Sequence, residues 1–251
     1  METLFEPLDV FAGGNGPASL ALAGCGAASL LWAALCLMAA GRLKTRSGWK
    51  TGYTRKLFHF LIFGTVVAVN RACGLAGVCV FGAATSLVIA YALARGDGHF
   101  MYEALAREKD APHRTRFIVE PYLATLAGGL AANLFFPQTV VFGYLVAGLG
   151  DAVAEPVGTR FGRHRYRVPA LGGVAAERSL EGSAAVLVVS ALALLACLGL
   201  SPHFALTPQT AGVAALLALA AAVAEAVSPH GWDNAVLQVL PAGMGMLLLS
   251  T

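Results

Sequence analysis

Apolar residues along this chain gather in long blocks separated by short polar loops. A helix that crosses a bilayer needs about 20 predominantly apolar residues. Eight blocks reach or approach that length: residues 18–40, 57–70, 72–94, 117–136, 139–158, 182–200, 208–227 and 235–250. The second is short unless residues 53–56 join the same helix, and the last is short and rich in glycine. Pro156 falls late in the fifth block and predicts a kink near Asp151. In lipid every backbone polar group must be satisfied within the segment or its barrel. The pattern therefore predicts an all-α integral membrane protein, a bundle of about eight transmembrane helices in one polytopic domain over residues 1–251. No heptads, low-complexity linker or solenoid repeat interrupt it.

Composition supports the same class. Only 12% of residues are charged and mean hydropathy is +0.70, whereas a soluble domain carries about 25% charged residues. Cys25, Cys36, Cys73, Cys79 and Cys197 all lie in apolar stretches without a CxxC pair, so they imply neither a disulfide framework nor a zinc site. The first 16 residues are acidic and lack the basic region of a signal peptide, so the first block is expected to be a retained span.

The net charge of +3 matters less than its placement. Six Lys or Arg residues fall in the loop 41–56, five in 95–116 and five in 160–178, leaving only Arg71 of the 17 elsewhere. With eight spans these three loops share one side. Basic loops stay cytoplasmic, so both termini are expected to face away from the cytoplasm. The SPHGWDN turn then joins the basic loops on the cytoplasmic side.

Five polar constellations open toward that side. Arg55, Lys56 and His59 begin the second block, with Arg55 and His59 one helical turn apart. They read either as snorkelling anchors or as phosphate ligands, with His59 deep enough to orient a phosphate or an acceptor hydroxyl. Asp151 and Glu155 end the fifth block on one helical face. An Asp in hydrocarbon costs about 2.5–3.5 kcal/mol on insertion scales, so a divalent-metal ligand stands against a polar lock between helices. Gly148, Gly150, Gly158 and Gly162 admit a close approach by a ligand or by another helix. The run RFGRHRYR places Arg160, Arg163, Arg165 and Arg167 within eight residues. Guanidinium groups match phosphate oxygens with paired hydrogen bonds, and a positive-inside loop is the plain alternative.

Next, Glu177-Arg178-Ser179-Leu180-Glu181-Gly182-Ser183 opens the sixth block. Ser179 is placed to cap that helix, with Glu181 in its first turn, and such an N-terminus also binds phosphate. Finally, Pro229 and Gly231 form a turn that brings Glu225 and Asp233 together at one membrane face, either as a helix clamp or as a functional pair. Glu120 poses the same question with less context. No GxxxxGK phosphate loop, HExxH pair or GxSxG elbow occurs, the last block has no Lys for a retinal Schiff base, and nothing points to a nucleic-acid partner.

In order, RKLFH, GDAVAEPVGTRFGRHR, ERSLEGS and EAVSPHGWDN resemble the CTP-dependent polyprenol kinase family, which includes dolichol, phytol and farnesol kinases and a fungal diacylglycerol kinase. The resemblance covers about residues 55–234, a family-like core after a first span and basic loop over 1–54. It implies a multi-pass membrane enzyme that transfers the γ-phosphoryl group of CTP to an isoprenoid alcohol of phytol, farnesol or polyprenol type. It carries over Arg55, Lys56 and His59; Asp151, Gly158 and Gly162; Ser179, Glu181, Gly182 and Ser183; and Glu225, Asp233 and Asn234. Two departures stand out. Arg178 occupies a place where the family usually has Lys, and the Glu155-Pro156 pair is not a general family feature.

Phosphoryl transfer needs positioning and charge neutralisation more than covalent catalysis. The resemblance implies Mg²⁺, or another divalent cation, on Asp151, Glu181 and Asp233. Arg163, Arg165 and Arg178 would take the remaining phosphate charge. Glu225 would accept the hydroxyl proton, at a site facing the cytoplasm. A cytidylyltransferase making a CDP-lipid would use similar ligands. A transporter of an anionic lipid or metabolite would place its polar residues near midplane, not at one face.

Overall fold

Lipid leaves no water to satisfy bare backbone groups, and the chain answers with helices almost throughout. The structure, a computed structural model, describes residues 17–169, 176–200, 205–229 and 231–249. The expectations about both chain ends, residues 201–204 and His230 lie outside the described residues. The helices are α1 (Pro17–Ser47), α2 (Thr51–Arg95), a single turn α3 (Phe100–Glu103), α4 (Arg116–Phe135), α5 (Val140–Leu145), α6 (Asp151–Phe161), α7 (Leu180–Gly199), α8 (Pro208–Val227) and α9 (Asp233–Leu249). Among the described residues, six helical stretches are long and apolar enough to cross a membrane, and α9 is a shorter apolar helix.

The sixteen residues 41–56 and the stretch 95–116 were expected as loops. Helix continues through much of the first, up to Ser47 and again from Thr51. Helix α2 joins the second and third predicted blocks. Its 45 residues would run about 67 Å as a straight helix, twice a bilayer core of about 30 Å. Gly74 breaks it, with φ 58° and ψ −154°, a conformation that glycine adopts without a Cβ clash. The halves, residues 51–73 and 75–95, are each one bilayer long.

The chain divides into two compact units, Met1–Arg107 and Glu108–Thr251. The boundary drawn from the motifs at 54–55 falls inside α2. In the first unit α1 packs on α2 and α3, with Ala33, Cys36, Leu37 and Ala40 of α1 and Phe81, Ala84, Val88 and Ala92 of α2 all buried. Thr54 Oγ1 donates to the Ala104 carbonyl at 2.9 Å and ties the start of α2 to the segment after α3.

In the second unit α9 packs on α4, α5 and α8. A methyl group added at Gly143 would lie 2.0 Å from the Gln238 carbonyl oxygen, so α5 and α9 meet backbone to backbone. Asn234 Nδ2 donates to Pro121 O at 3.3 Å, and Gln238 Nε2 donates to Thr125 O at 3.0 Å, tying α9 to α4 one turn apart. Helix α8 starts at a reciprocal Thr207–Thr210 cap with Pro208 in its first turn. The distortion expected near Asp151 is a π-helical turn, Val146–Gly150, between α5 and α6. It lies a turn ahead of the carbonyl that Pro156 would crowd. Gly150 on this turn is pressed against α7: a Cβ there would fall 2.2 Å from Ser190 Oγ.

One element departs from the all-α expectation. Residues Arg165–Val168 (β1) and Ala176–Ser179 (β2) pair as an antiparallel hairpin inside the basic loop. Four-residue strands in a run of arginines give no apolar alternation for a sequence reading to detect.

Candidate functional site

The hairpin controls which basic residues face inward. Its register sets Tyr166 opposite Arg178 and Arg167 opposite Glu177. Successive strand residues point to opposite faces, so Tyr166 and Arg178 share one face while Arg165, Arg167 and Glu177 share the other. The second set is exposed. Arg163, at the hairpin entrance, is exposed too. Arg165 lies 3.9 Å from Glu177, a solvated pair that contributes little. Of the three arginines expected at phosphate, only Arg178 meets the buried carboxylates; strand alternation turns Arg165 to the other face, and Arg163 and Arg165 stand exposed.

Arg178 is the centre of the arrangement. Its Nε forms an ion pair with Glu225 Oε1 at 3.1 Å and its Nη2 donates to Asp233 Oδ2 at 2.8 Å. The three side chains are 11%, 4% and 16% exposed. The predicted meeting of Glu225 and Asp233 thus happens through a guanidinium fork. Arg178 Nη1 is buried and finds no hydrogen-bond partner among the described residues. A buried donor left unmade is costly, and a phosphate oxygen is the kind of acceptor that fits a guanidinium N–H. The second oxygen of Glu225 accepts from Ser183 Oγ at 3.0 Å. Ser183 Oγ lies 2.7 Å from the Tyr166 hydroxyl. Burial pushes the Tyr166 phenol above its usual range, so it keeps its proton. Asp151, on the first turn of α6, is buried.

Several carried-over residues do architectural work instead. Ser179 caps α7, accepting from the Gly182 N–H at 3.1 Å. Its Oγ is closed in by the three motif glycines. A Cβ would lie 2.9 Å from it at Gly158, 2.9 Å at Gly162 and 3.2 Å at Gly182. The close approach expected at Gly158 and Gly162 is made by the capped start of α7, so these glycines and Ser179 pack the α6–α7 junction. Asn234 likewise reaches Pro121 O in α4. Arg55, Lys56 and His59 lie in the first unit, on α2. Lys56 is buried there and the His59 ring sits 4.5 Å from that of Phe63.

The three carboxylates expected at the metal have separate surroundings. Among the described residues, no group of three or more His, Cys, Asp and Glu side chains gathers to hold a metal ion. Glu181 Oε1 lies 2.8 Å from His164 Nδ1, and its carboxylate also accepts the His164 N–H, joining the hairpin entrance to α7. Asp233 Oδ1 accepts from its neighbour's Asn234 N–H while Oδ2 takes Arg178. Asp151, Glu181 and Asp233 thus do not form one cage. Mg²⁺ is commonly held by one or two carboxylates together with substrate phosphates. The hard oxygen donor of buried Asp151 fits an ion that arrives with a nucleotide.

Sequence reasoning missed Tyr166, His164 as the partner of Glu181, and Gln238. Tyr166 sits within RFGRHRYR, yet only the strand register reveals its direction. Gln238, 1% exposed in an apolar helix, carried a signal that was overlooked, since buried amides need partners. The contact between Asn133 Nδ2 and the Tyr144 hydroxyl was also unforeseen.

No family model and no solved structure matches the chain. A phytol kinase of Synechocystis sp. is 35% identical over 112 residues. The match covers 45% of this chain and 45% of that relative, so the chain spans less than half of the relative's length in the comparison. The match supports a relationship between this chain and the polyprenol and phytol kinase family, the same family that the four motifs resemble.

Proposed function

We infer that the chain is a CTP-dependent kinase that phosphorylates a lipid alcohol of the isoprenoid class. The observation that carries this reading is the buried Arg178 fork between Glu225 and Asp233, with one guanidinium nitrogen left over for an anion. The similarity to a phytol kinase favours an isoprenoid alcohol as acceptor.

In this reading Arg178 keeps Nε and Nη2 on the carboxylates and offers Nη1 to a γ-phosphate oxygen. Charge-assisted contacts of this kind stabilise developing negative charge in a water-poor site. Glu225 accepts the proton of the alcohol as its oxygen bonds to the γ-phosphorus. The bond from that phosphorus to the bridging oxygen breaks, and CDP leaves with the electron pair. Asp151 would hold the divalent cation that accompanies the nucleotide, and that cation, when bound, neutralises polyphosphate charge. Ser179 and the glycines around it fix the α6–α7 junction that sets Asp151 in place. The basic loops put this machinery at the cytoplasmic surface, and the alcohol's tail enters from lipid between helices. Eight crossings, with α2 counted as two halves, complete the topology.

Purified protein in mixed micelles, given phytol, farnesol or a polyprenol with labelled CTP, tests the reading. A γ-label in the lipid product is expected. An α-label in the product would show a cytidylyltransferase, and no label in any alcohol would overturn the kinase reading.

A further inference from the structure

With Glu225 ionised, as its role of proton acceptor requires, the hydrogen bonds on it run in one direction. An ionised carboxylate has no proton to give. Ser183 must therefore spend its single hydroxyl proton on Glu225 Oε2, at 3.0 Å. It can then only accept from Tyr166, whose hydroxyl lies 2.7 Å away and keeps its proton. The other oxygen, Oε1, is ion-paired with Arg178 Nε at 3.1 Å. Tyr166 and Arg178 are direct cross-strand partners. A single residue pair of the hairpin thus governs both oxygens of one buried carboxylate, one directly and one through Ser183.

The hairpin itself is a weak element, since two short strands are marginal without packing. It is held to the helices by the Glu181–His164 contact, by Tyr166 on Ser183 and by Arg178 on its two carboxylates. Tyr166 is the only one of these ties that ends on a neutral hydroxyl donor. Its loss would leave every named charge in place.

We propose that Tyr166 is a positioning residue: through Ser183 it holds the Glu225 carboxylate in the orientation that receives the proton of the acceptor hydroxyl. This rests on the kinase reading above. Without the phenol hydroxyl, Ser183 lacks its donor and its own hydroxyl can turn to other acceptors. Oε2 of Glu225 then loses its fixed partner, while nucleotide contacts through Arg178 and Asp151 remain.

The test compares Tyr166→Phe, Ser183→Ala and the double variant, with CTP and phytol in mixed micelles. Tyr166→Phe removes one oxygen and keeps the ring. Its kcat is expected to fall about tenfold, the rate equivalent of about 1.4 kcal/mol. The KM for CTP should stay within about twofold, because nucleotide binding is not touched. On the Ser183→Ala background the same change should cost nothing more, since the path through the hydroxyl is already cut. Full kcat in Tyr166→Phe overturns the proposal, as does a further tenfold loss on the Ser183→Ala background. A raised KM for CTP with unchanged kcat overturns it too. A Tyr166→Phe chain that no longer folds overturns it by showing a structural role. If the unaltered protein labels no alcohol, the kinase reading fails and takes this inference with it. If the unaltered protein is active and Tyr166→Phe matches it, only this inference fails.

Discussion

Replacing Arg178 by Lys and by Ala separates fork geometry from positive charge. The family's usual Lys at this place implies that charge alone is enough. The structure makes a different demand, because two nitrogens of one guanidinium reach two carboxylates at 3.1 and 2.8 Å. An ammonium is a point donor and cannot occupy both positions. A hydrogen bond to a charged group contributes about 1.5–3 kcal/mol, so Arg178→Lys should lose about that much stability. Arg178→Ala removes the guanidinium from two largely buried carboxylates and should cost about 3–5 kcal/mol. Reversible unfolding in mixed micelles would rank the unaltered protein above Arg178→Lys, and that above Arg178→Ala. Phosphoryl transfer should fall in the same order. Adding Glu225→Gln and Asp233→Asn to Arg178→Ala should recover stability, because removing both sides of a buried pair avoids the unpaired charge. It should not recover transfer. An Arg178→Lys protein as stable and active as the original would refute the fork. A triple variant no more stable than Arg178→Ala would refute the claim that unpaired carboxylates cause the loss.

Three further outcomes are expected. Asp151→Asn should abolish transfer while leaving the melting temperature unchanged, and a near-normal rate at saturating Mg²⁺ would reduce Asp151 to a structural role. Gly162→Ala should destabilise by about 1–3 kcal/mol through overpacking, since its Cβ would sit 2.3 Å from Gly158 O and 2.9 Å from Ser179 Oγ; unfolding at the same denaturant midpoint as the original would contradict the packing role. On a background without native cysteines, Arg165→Cys and Leu206→Cys flank α7 and should react with impermeant reagent from opposite membrane sides, position 165 from the cytoplasm; labelling from one side would sink the eight-crossing topology.

The helices were legible in the sequence because lipid makes their signal local. Each apolar block must satisfy its own backbone, so length and hydropathy alone place a helix. The same reasoning marked Glu225 and Asp151 as carboxylates that hydrocarbon would not tolerate without a purpose. Motif order marked Arg178, Ser183 and Asp233 as belonging with them. What those residues do to one another was not legible. Arg178 and Asp233 are 55 positions apart and Ser183 and Glu225 are 42 apart, and no periodicity in a window of sequence encodes such a pairing.

The tertiary structure alone decided the rest, for two physical reasons. In the basic loop, strand pairing with a period of two chose which side chains turn inward and which stay in water, so Arg178 reaches the carboxylates, Tyr166 reaches Ser183, and Arg165 meets neither. At the α6–α7 junction, close packing decided that Gly158, Gly162 and Gly182 surround a capping serine. A glycine in sequence announces only that something comes close to the backbone; which neighbour fills that space is fixed by the fold.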